Sequence, residues 1–305
     1  MSLGAEVRVL DNLTNRSLDN IAQWLSHSDF QFIRGDLLNP EGVMKAVKDR
    51  ELIYHLAASS DVRIGSVSPE VDFRQNVVAT FNLLESLRSV GGVKTVVFTS
   101  SSTVYGDASE IPTPEDYAPL TPTSIYGASK LACEALMTAY AQMYGFKLMI
   151  YRLANIVGPR SKHGVAYDFI QKLKKNPTEL EVLGDGTQMK SYLYISDCIR
   201  AMLLGLEEQK NRVEIYNVGS EDQIDVKTIA NIVIEEMGLD NVKITFTGGI
   251  DGGRGWKGDV KNMLLHVGEL KSKGWKPSYS SEEAIRLTIR LMLQSLCDGN
   301  YGLPT

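Results

Sequence analysis

Apolar and polar positions along the chain fall into short alternating runs separated by stretches of helical period. In "EVRVLDN", Val7, Val9 and Leu10 alternate with charge as a half-buried strand requires, and the run ends on Asp11-Asn12. A helical stretch around 18–25 leads to the strand "FQFIRGDL", a helix around 41–48 and the strand "LIYHLAAS". The apolar-rich "NVVATFNLLESLRSV" reads as a helix and "KTVVFTSSS" as the next strand. After a loop holding Pro112, Pro114, Pro119 and Pro122, a long helix is predicted from about Ser124 to Tyr144, and "KLMIYRLANIVG" reads as one further strand. Strands alternating with helices predict an α/β fold with a doubly wound parallel sheet. Beyond Gly158 the pattern loosens into short strands ("LEVLG", "EIYNVG", "VKITF"), Gly-rich turns and helices near 226–237 and 282–296. We therefore expect a first domain over 1–157 and a smaller α+β lobe over 158–305, with strands near 191–219 returning to the first domain.

Bulk properties remove several function classes. The chain has 305 residues, enough for one large or two modest domains, and a net charge of −5 with no basic footprint, so nucleic acid is not an expected partner. Cys133, Cys198 and Cys297 are odd in number and far apart, which predicts free thiols in a reducing compartment. His27, His55, His163 and His266 have no ligand-like spacing, so no metal site is expected. No apolar run is long enough to span a bilayer, no signal peptide opens the chain, and Met1-Ser2-Leu3 reads as an expression leader. The cytoplasm is the expected compartment.

The candidate chemistry gathers at the carboxyl ends of strands. Tyr126 and Lys130, four apart in "SIYGASKLACEAL", project from one helix face, where an ammonium would favour an ionised tyrosine able to act as a base. Tyr-xxx-Lys alone is a weak signal, read more readily as a helix-surface pair. The hydroxyl-rich "TSSSTVYG" at the end of the preceding strand strengthens it, because ligands of open α/β sheets bind at that edge. A strand ending in an acid, as at Asp11, is how a dinucleotide-binding fold holds the adenosine ribose. In that fold it is the second strand, preceded by a strand, a glycine-rich turn and a helix.

Taken in order, "GDL", "HLAA", "NVVAT", "SSSTVYG", "YGASK", "RLANIVGPR", "GDGTQMKSY", "YISD", "YNVGS" and "GWKGDV" make the chain resemble the extended short-chain dehydrogenases/reductases, in particular nucleotide-sugar epimerases of the UDP-glucose 4-epimerase type. The resemblance implies a Rossmann-type sheet lacking its first strand and helix here, NAD as cofactor, a UDP-sugar substrate and a homodimer. By matching, Tyr126 is the catalytic base, Lys130 its ribose-binding partner and Ser101 the hydroxyl bridging sugar and tyrosine. Asp11 and Asn12 would hold the adenosine ribose, Asp36 and Leu37 would flank adenine, and Ala57, Ala58, Asn76 and Ser100 would line the path to nicotinamide. The family's Gly-x-x-Gly-x-x-Gly turn would lie ahead of Gly4, which suggests a chain truncated at its start. Gly249, Gly252 and Gly255 repeat that spacing, but no helical pattern opens directly behind them.

In the lobe, the resemblance places Asn155 at the sugar phosphates and Val182 and Leu183 beside uracil. Lys190 stands where the family usually has arginine, which turns a bidentate phosphate contact into a point charge. Arg254 and Asp259 frame "RGWKGD", similar to the family's Arg-x-Gly-Asp but stretched by two residues. Family dehydratases carry an acidic pair after the catalytic hydroxyl and decarboxylases a glutamate, whereas here Ser102 and Thr103 follow. The expected reaction is therefore UDP-glucose/UDP-galactose interconversion through a 4-keto sugar. The alternatives are a UDP-glucuronate or UDP-N-acetylhexosamine 4-epimerase, with Met263 at a position controlling room for the N-acyl group, or a cofactor-free nucleotide-sugar-binding homologue. The helices around 77–87 and 131–144, apolar on more than one face, are expected to pair with their copies in a dimer.

Overall fold

The computed structural model describes residues 4–14, 17–59 and 61–297; Met1–Leu3 and the side chain of Cys297 lie outside the described residues. In chain order the first half comprises β1 (Val7–Asp11), β2 (Phe30–Arg34), α1 (Pro40–Val47), β3 (Leu52–His55), α2 (Ile64–Val67), α3 (Pro69–Asp72), α4 (Ala79–Val90), β4 (Thr95–Ser101), α5 (Ile125–Tyr144) and β5 (Lys147–Leu153). The second half comprises β6 (Asn155–Val157), α6 (Val165–Lys175), β7 (Glu179–Val182), β8 (Met189–Lys190), β9 (Tyr192–Tyr194), α7 (Ile195–Glu207), β10 (Val213–Val218), β11 (Ile224–Asp225), α8 (Val226–Glu236), β12 (Lys243–Phe246), β13 (Asn262–Met263), α9 (Gly268–Ser272) and α10 (Ser281–Cys297). Two differences from the sequence reading are local. The stretch around 18–25 forms two 3-10 turns, Leu18–Asn20 and Ala22–Trp24. "KLMIYRLANIVG" is two strands, because Ala154 turns the chain out of the ladder with β10 and lets β6 pair with β9.

The central sheet runs β10-β5-β4-β3 with every pair parallel. Alternation along β4 and β5 decides which helices cover which face. Val96, Phe98, Leu148 and Ile150 pack against Leu83, Leu84 and Leu87 of α4 and Met137 and Ala141 of α5. Val97, Met149 and Tyr151 point the other way, onto Cys198, Ala201 and Met202 of α7. Strands buried on both faces explain the near-continuous apolar runs "TVVF" and "KLMIY". Truncating a fully buried side chain such as Leu148 to alanine should cost about 2–5 kcal/mol.

β1 and β2 form a separate parallel pair, and no ladder joins β1 to β3 among the described residues. Arg8 of β1 holds the pair to the end of α1 through the carbonyls of Ala46 (3.0 Å) and Lys48 (2.8 Å). A further core joins α6, α8 and α10 over Leu180 and Val182 of β7 and forms the body of the second half. β10 nevertheless leaves that half and pairs with β5 along its whole length. The carboxyl ends of β4 and β5 thus face α6, β8 and the loop before β13, and a cavity opens between them.

Candidate active site

That cavity has a volume of about 830 Å³, within the range of small-molecule sites. One wall comes from the first half: Ala58, Ser100, Ser101, Thr103, Tyr126 and Lys130. The opposite wall carries Asn155, Leu183, Lys190, Trp256, Asp259 and Met263.

Local sequence fixes the catalytic wall. Ser101 ends β4 in extended conformation, and its Oγ accepts hydrogen bonds from the Thr103 backbone N–H (3.2 Å) and the Thr103 hydroxyl (3.0 Å), capping the turn Ser102–Tyr105. Ser124 caps α5 by accepting from Gly127 N–H at 3.0 Å, so Tyr126 lies in the first turn of the helix and Lys130 one turn later. Gly127 lets the helix start press on the Ser101 turn, since a Cβ there would stand 2.6 Å from the Thr103 carbonyl oxygen and 3.0 Å from Pro122 Cβ. On the far side of that turn, the Thr123 hydroxyl donates to the Gly258 carbonyl at 3.1 Å and ties the two walls together.

Burial shapes the electrostatics of both Lys130 and Tyr126. Lys130 is buried, with Nζ 4.8 Å from the centroid of Phe98 and 5.9 Å from that of Tyr126, and it donates to the backbone carbonyl of Thr99 at 2.8 Å. Burial pulls its ammonium down to about 8, against the opposing pull of Cys133 and Glu134. Tyr126 is shifted upward by burial first, and the negative charge of Asp72 adds to it. Burial therefore favours the protonated phenol of Tyr126 in this state.

The remaining sequence-selected residues divide by place. Asp11 and Asn12 at the end of β1 and Asp36 after β2 stand together: Asn12 donates to Asp36 Oδ2 at 2.9 Å, and the exposed Asp11 carboxylate caps Leu13 N–H at 2.6 Å. Leu37 packs on the α4–α5 core, and its carbonyl accepts from Asn82 at 2.9 Å. None of these four, nor Ala57, lines the cavity. Asn76 is buried and committed to protein partners, accepting from Ser59 N–H and donating to Ser129 Oγ, both at 2.8 Å. Val182 is fully buried in the second-half core, while its neighbour Leu183 faces the cavity. Lys190 pairs with Asp259 and lies 5.0 Å over the Trp256 ring. Arg254 stands outside the cavity wall in a two-point pair with Asp107 at 2.9 and 3.0 Å. Gly249, Gly252 and Gly255 surround a tight Ile250–Arg254 bridge with no helix behind it, so they form no phosphate cradle of the dinucleotide type.

Several residues of the site escaped the sequence reading. Arg63 lines the cavity and pairs with Asp61 (2.9 Å) and with Asp168 of α6 (3.3 Å). Glu134 continues the Tyr126–Lys130 face by one more turn and binds Arg152. The i, i+4, i+8 spacing was available as a signal; the long-range partners were not.

Comparison with known proteins decides the family. A profile described as the NAD dependent epimerase/dehydratase family matches residues 1–219. The chain belongs to this family. It is 31% identical over 292 residues to a Methanocaldococcus jannaschii protein provisionally named a UDP-glucose 4-epimerase, covering 94% of this chain and 90% of that one. It is 29% identical to the Arabidopsis thaliana UDP-glucuronic acid decarboxylase 6, over 92% of this chain and 80% of the relative. A crystal structure of UDP-galactose 4-epimerase superposes with a TM-score of 0.84 at 40% identity, covering 97% of this chain and 92% of that one. The fold is thus the family's Rossmann-type α/β architecture, its cofactor is NAD, and its epimerases are isomerases acting on UDP-sugars.

Proposed function

We propose that the chain is an NAD-dependent UDP-sugar 4-epimerase that interconverts UDP-glucose and UDP-galactose. The observation that carries this reading over elimination or decarboxylation is the state of the cavity's carboxylates. Among the described residues these are Asp61 and Asp168, both paired with Arg63, and Asp259, paired with Lys190. No free acid stands beside Ser101, where Ser102 and Thr103 follow instead. Beyond the hydride exchange that NAD would supply, oxidation and re-reduction at one carbon asks the protein for a proton acceptor, and Tyr126 provides it.

The donor set suits the cofactor at both ends. Asp11, Asn12 and Asp36 offer carboxylate and amide groups to an adenosine ribose, and Lys130 and Tyr126 offer an ammonium and a phenol to a nicotinamide ribose. NAD, when bound, supplies a hydride acceptor and then a hydride donor. Ser101 hydrogen-bonds the sugar hydroxyl and Tyr126 exchanges its proton. The Lys130 ammonium stabilises the phenolate that forms as the proton moves from the sugar hydroxyl. Lys190 and Asn155 hold the diphosphate, and Leu183 lies against uracil. The cavity's volume of about 830 Å³ leaves a keto sugar room to turn.

A second copy of the chain would cover the exposed apolar face of α4 and α5, where Phe81 (45% exposed), Met143 (73%) and Tyr144 (47%) stand in the open. Among the described residues no helix is long and apolar enough to cross a membrane. Cys133 and Cys198 are buried free thiols, which suits a reducing compartment such as the cytoplasm.

The test is incubation with NAD and each UDP-sugar in turn, with products separated chromatographically. UDP-galactose arising from UDP-glucose is the expected result. Conversion confined to UDP-glucuronate or to UDP-N-acetylhexosamines would replace this substrate, and UDP binding without any turnover would overturn the enzymatic reading.

A further inference from the structure

Behind the cavity wall lies a buried polar network that the proposed reaction does not use. Glu134 of α5 and Arg152 of β5 are each about 4% exposed and form a two-point ion pair, with Nη2–Oε2 at 2.8 Å and Nε–Oε1 at 3.1 Å. Arg152 extends the network through Nη1 to Tyr105 OH (3.0 Å) and the Glu115 carbonyl (2.9 Å), and Tyr105 OH in turn donates to Asn217 Oδ1 at 2.7 Å. Every charged end is satisfied, so the pair carries no orphaned charge.

Its direction is the informative part. The Ser100 hydroxyl donates to Glu134 Oε1, and Ser100 is the residue before Ser101. One residue earlier, the Thr99 carbonyl accepts from Lys130, one helical turn before Glu134. Two adjacent residues at the end of β4 are thus gripped by two adjacent turns of α5, once by Lys130 and once by Glu134.

We propose that Glu134 is a positioning residue for proton transfer: clamped by Arg152, its carboxylate fixes the end of β4 against α5 and so sets Ser101 and Lys130 relative to Tyr126. The ladder with β5 holds the strand itself, so the grip of Glu134 decides how its end sits against α5, and a misplacement of about 1 Å can cost on the order of 100-fold in rate. The network also acts through charge. Around Lys130 stand His55 on β3, Tyr126, Cys133 and Glu134 on its own helix, Arg152 on β5, and the uncharged Phe98 and Thr99 on β4. His55 is held neutral by burial, and burial likewise raises the Cys133 thiol, so the carboxylate that opposes the desolvation of Lys130 is that of Glu134.

This proposal rests on the epimerase reading only for its kinetic arm. In Glu134→Gln, kcat should fall at least about tenfold with KM for the UDP-sugar nearly unchanged. In 15N-lysine-labelled protein followed by NMR, the Lys130 Nζ should titrate at lower pH than in the wild type, because the opposing negative charge is gone. The NMR arm needs no turnover, so a wild-type protein inactive on UDP-sugars would sink the functional reading and still test this one. Should Glu134→Gln fail to fold, Ser100→Ala removes one buried hydroxyl and no charge, and it should lower kcat severalfold at constant KM, or order Ser101 less well in its crystal structure. Glu134→Asp should restore the Lys130 titration without fully restoring kcat. Wild-type kcat together with an unmoved Lys130 titration in Glu134→Gln, or an unchanged kcat and an unmoved Ser101 in Ser100→Ala, overturns the proposal.

Discussion

The ammonium of Lys130 is bonded to the backbone carbonyl of Thr99 at 2.8 Å rather than committed to Tyr126. With its centroid 5.9 Å from that ammonium, the phenol keeps its proton in the state described here. The two side chains therefore form a pair poised for substrate. Tyr126→Phe should keep the fold and UDP binding while lowering 4-epimerisation by about 100-fold or more, the usual worth of a positioned proton acceptor. Product analysis alongside UDP calorimetry checks this, and near-native turnover would remove Tyr126 from its proposed role.

After burial, Asp72 adds to the level from which that phenol must be ionised. It is fully buried, neither carboxyl oxygen has a hydrogen-bond partner among the described residues, and Gly65 lies between it and Ile125, the neighbour of Tyr126. Burial raises its carboxyl against the pull of the nearby Ser59 hydroxyl, and Asp61 adds to the rise. Removing the charge in Asp72→Asn should lower the Tyr126 phenol and move the acidic limb of the kcat/KM profile to lower pH. An acid with a raised folded pKa destabilises the fold at high pH and not at low pH. The same variant should accordingly melt higher than wild type at pH 7 and at the same temperature at pH 3. A profile and a melting temperature both unmoved at pH 7 would contradict the assignment.

Acid lability should trace to His55. Its ring stacks on Phe98, with Nε2 2.9 Å from Thr80 Oγ1, and burial first, then Lys130, lowers it from 6.5 to about 3. Above 6.5 the ring is neutral in both folded and unfolded chains and contributes no slope. Between 6.5 and about 3 only the unfolded chain takes up the proton, so stability should fall by about 1.4 kcal/mol per pH unit from this one group. Denaturant unfolding across that range should show the slope in wild type and a shallower one in His55→Gln. Equal slopes in the two proteins would place the acid sensitivity elsewhere.

The apolar face of α4 and α5 gives an assembly prediction. Met143→Asp places a charge at the most exposed apolar position of that face without touching the cavity. If two copies pair there, light scattering at micromolar concentration should give a dimer for the wild type and a monomer for the variant. A wild-type monomer would remove the dimer.

The sequence was legible where one rule governed a segment. The strand "TVVFTSS" and the cap at Ser124 announce β4 and α5 because apolar period and capping chemistry act locally, and Tyr126 with Lys130 follows from helix geometry. Partnership across the chain was not legible. Arg152 sits in the apolar run "LMIYRL" and finds Glu134 eighteen residues earlier in a different element. Asn76 is expected along the cofactor path, but that its side chain bonds Ser59 and Ser129 could not be read from the sequence. The ammonium near Tyr126 was visible in the spacing, but the burial that raises the phenol depends on the whole cavity wall. The interruption of the strand at Ala154 likewise depends on β9, which pairs with the segment after β5.

The contact between Gly127 and the Thr103 carbonyl has a consequence for how such a site can diversify. At this contact, the start of α5 and the turn after Ser101 meet main chain against main chain, with no side chain between them to exchange. The opposite wall is made of side chains: Asn155, Leu183, Lys190, Trp256 and Met263. Preference for one sugar over another can thus be rewritten on that wall by ordinary substitution, while the reacting pair keeps its spacing. At position 127 itself, even a single methyl would push the helix off the turn and separate the two groups that must share a proton.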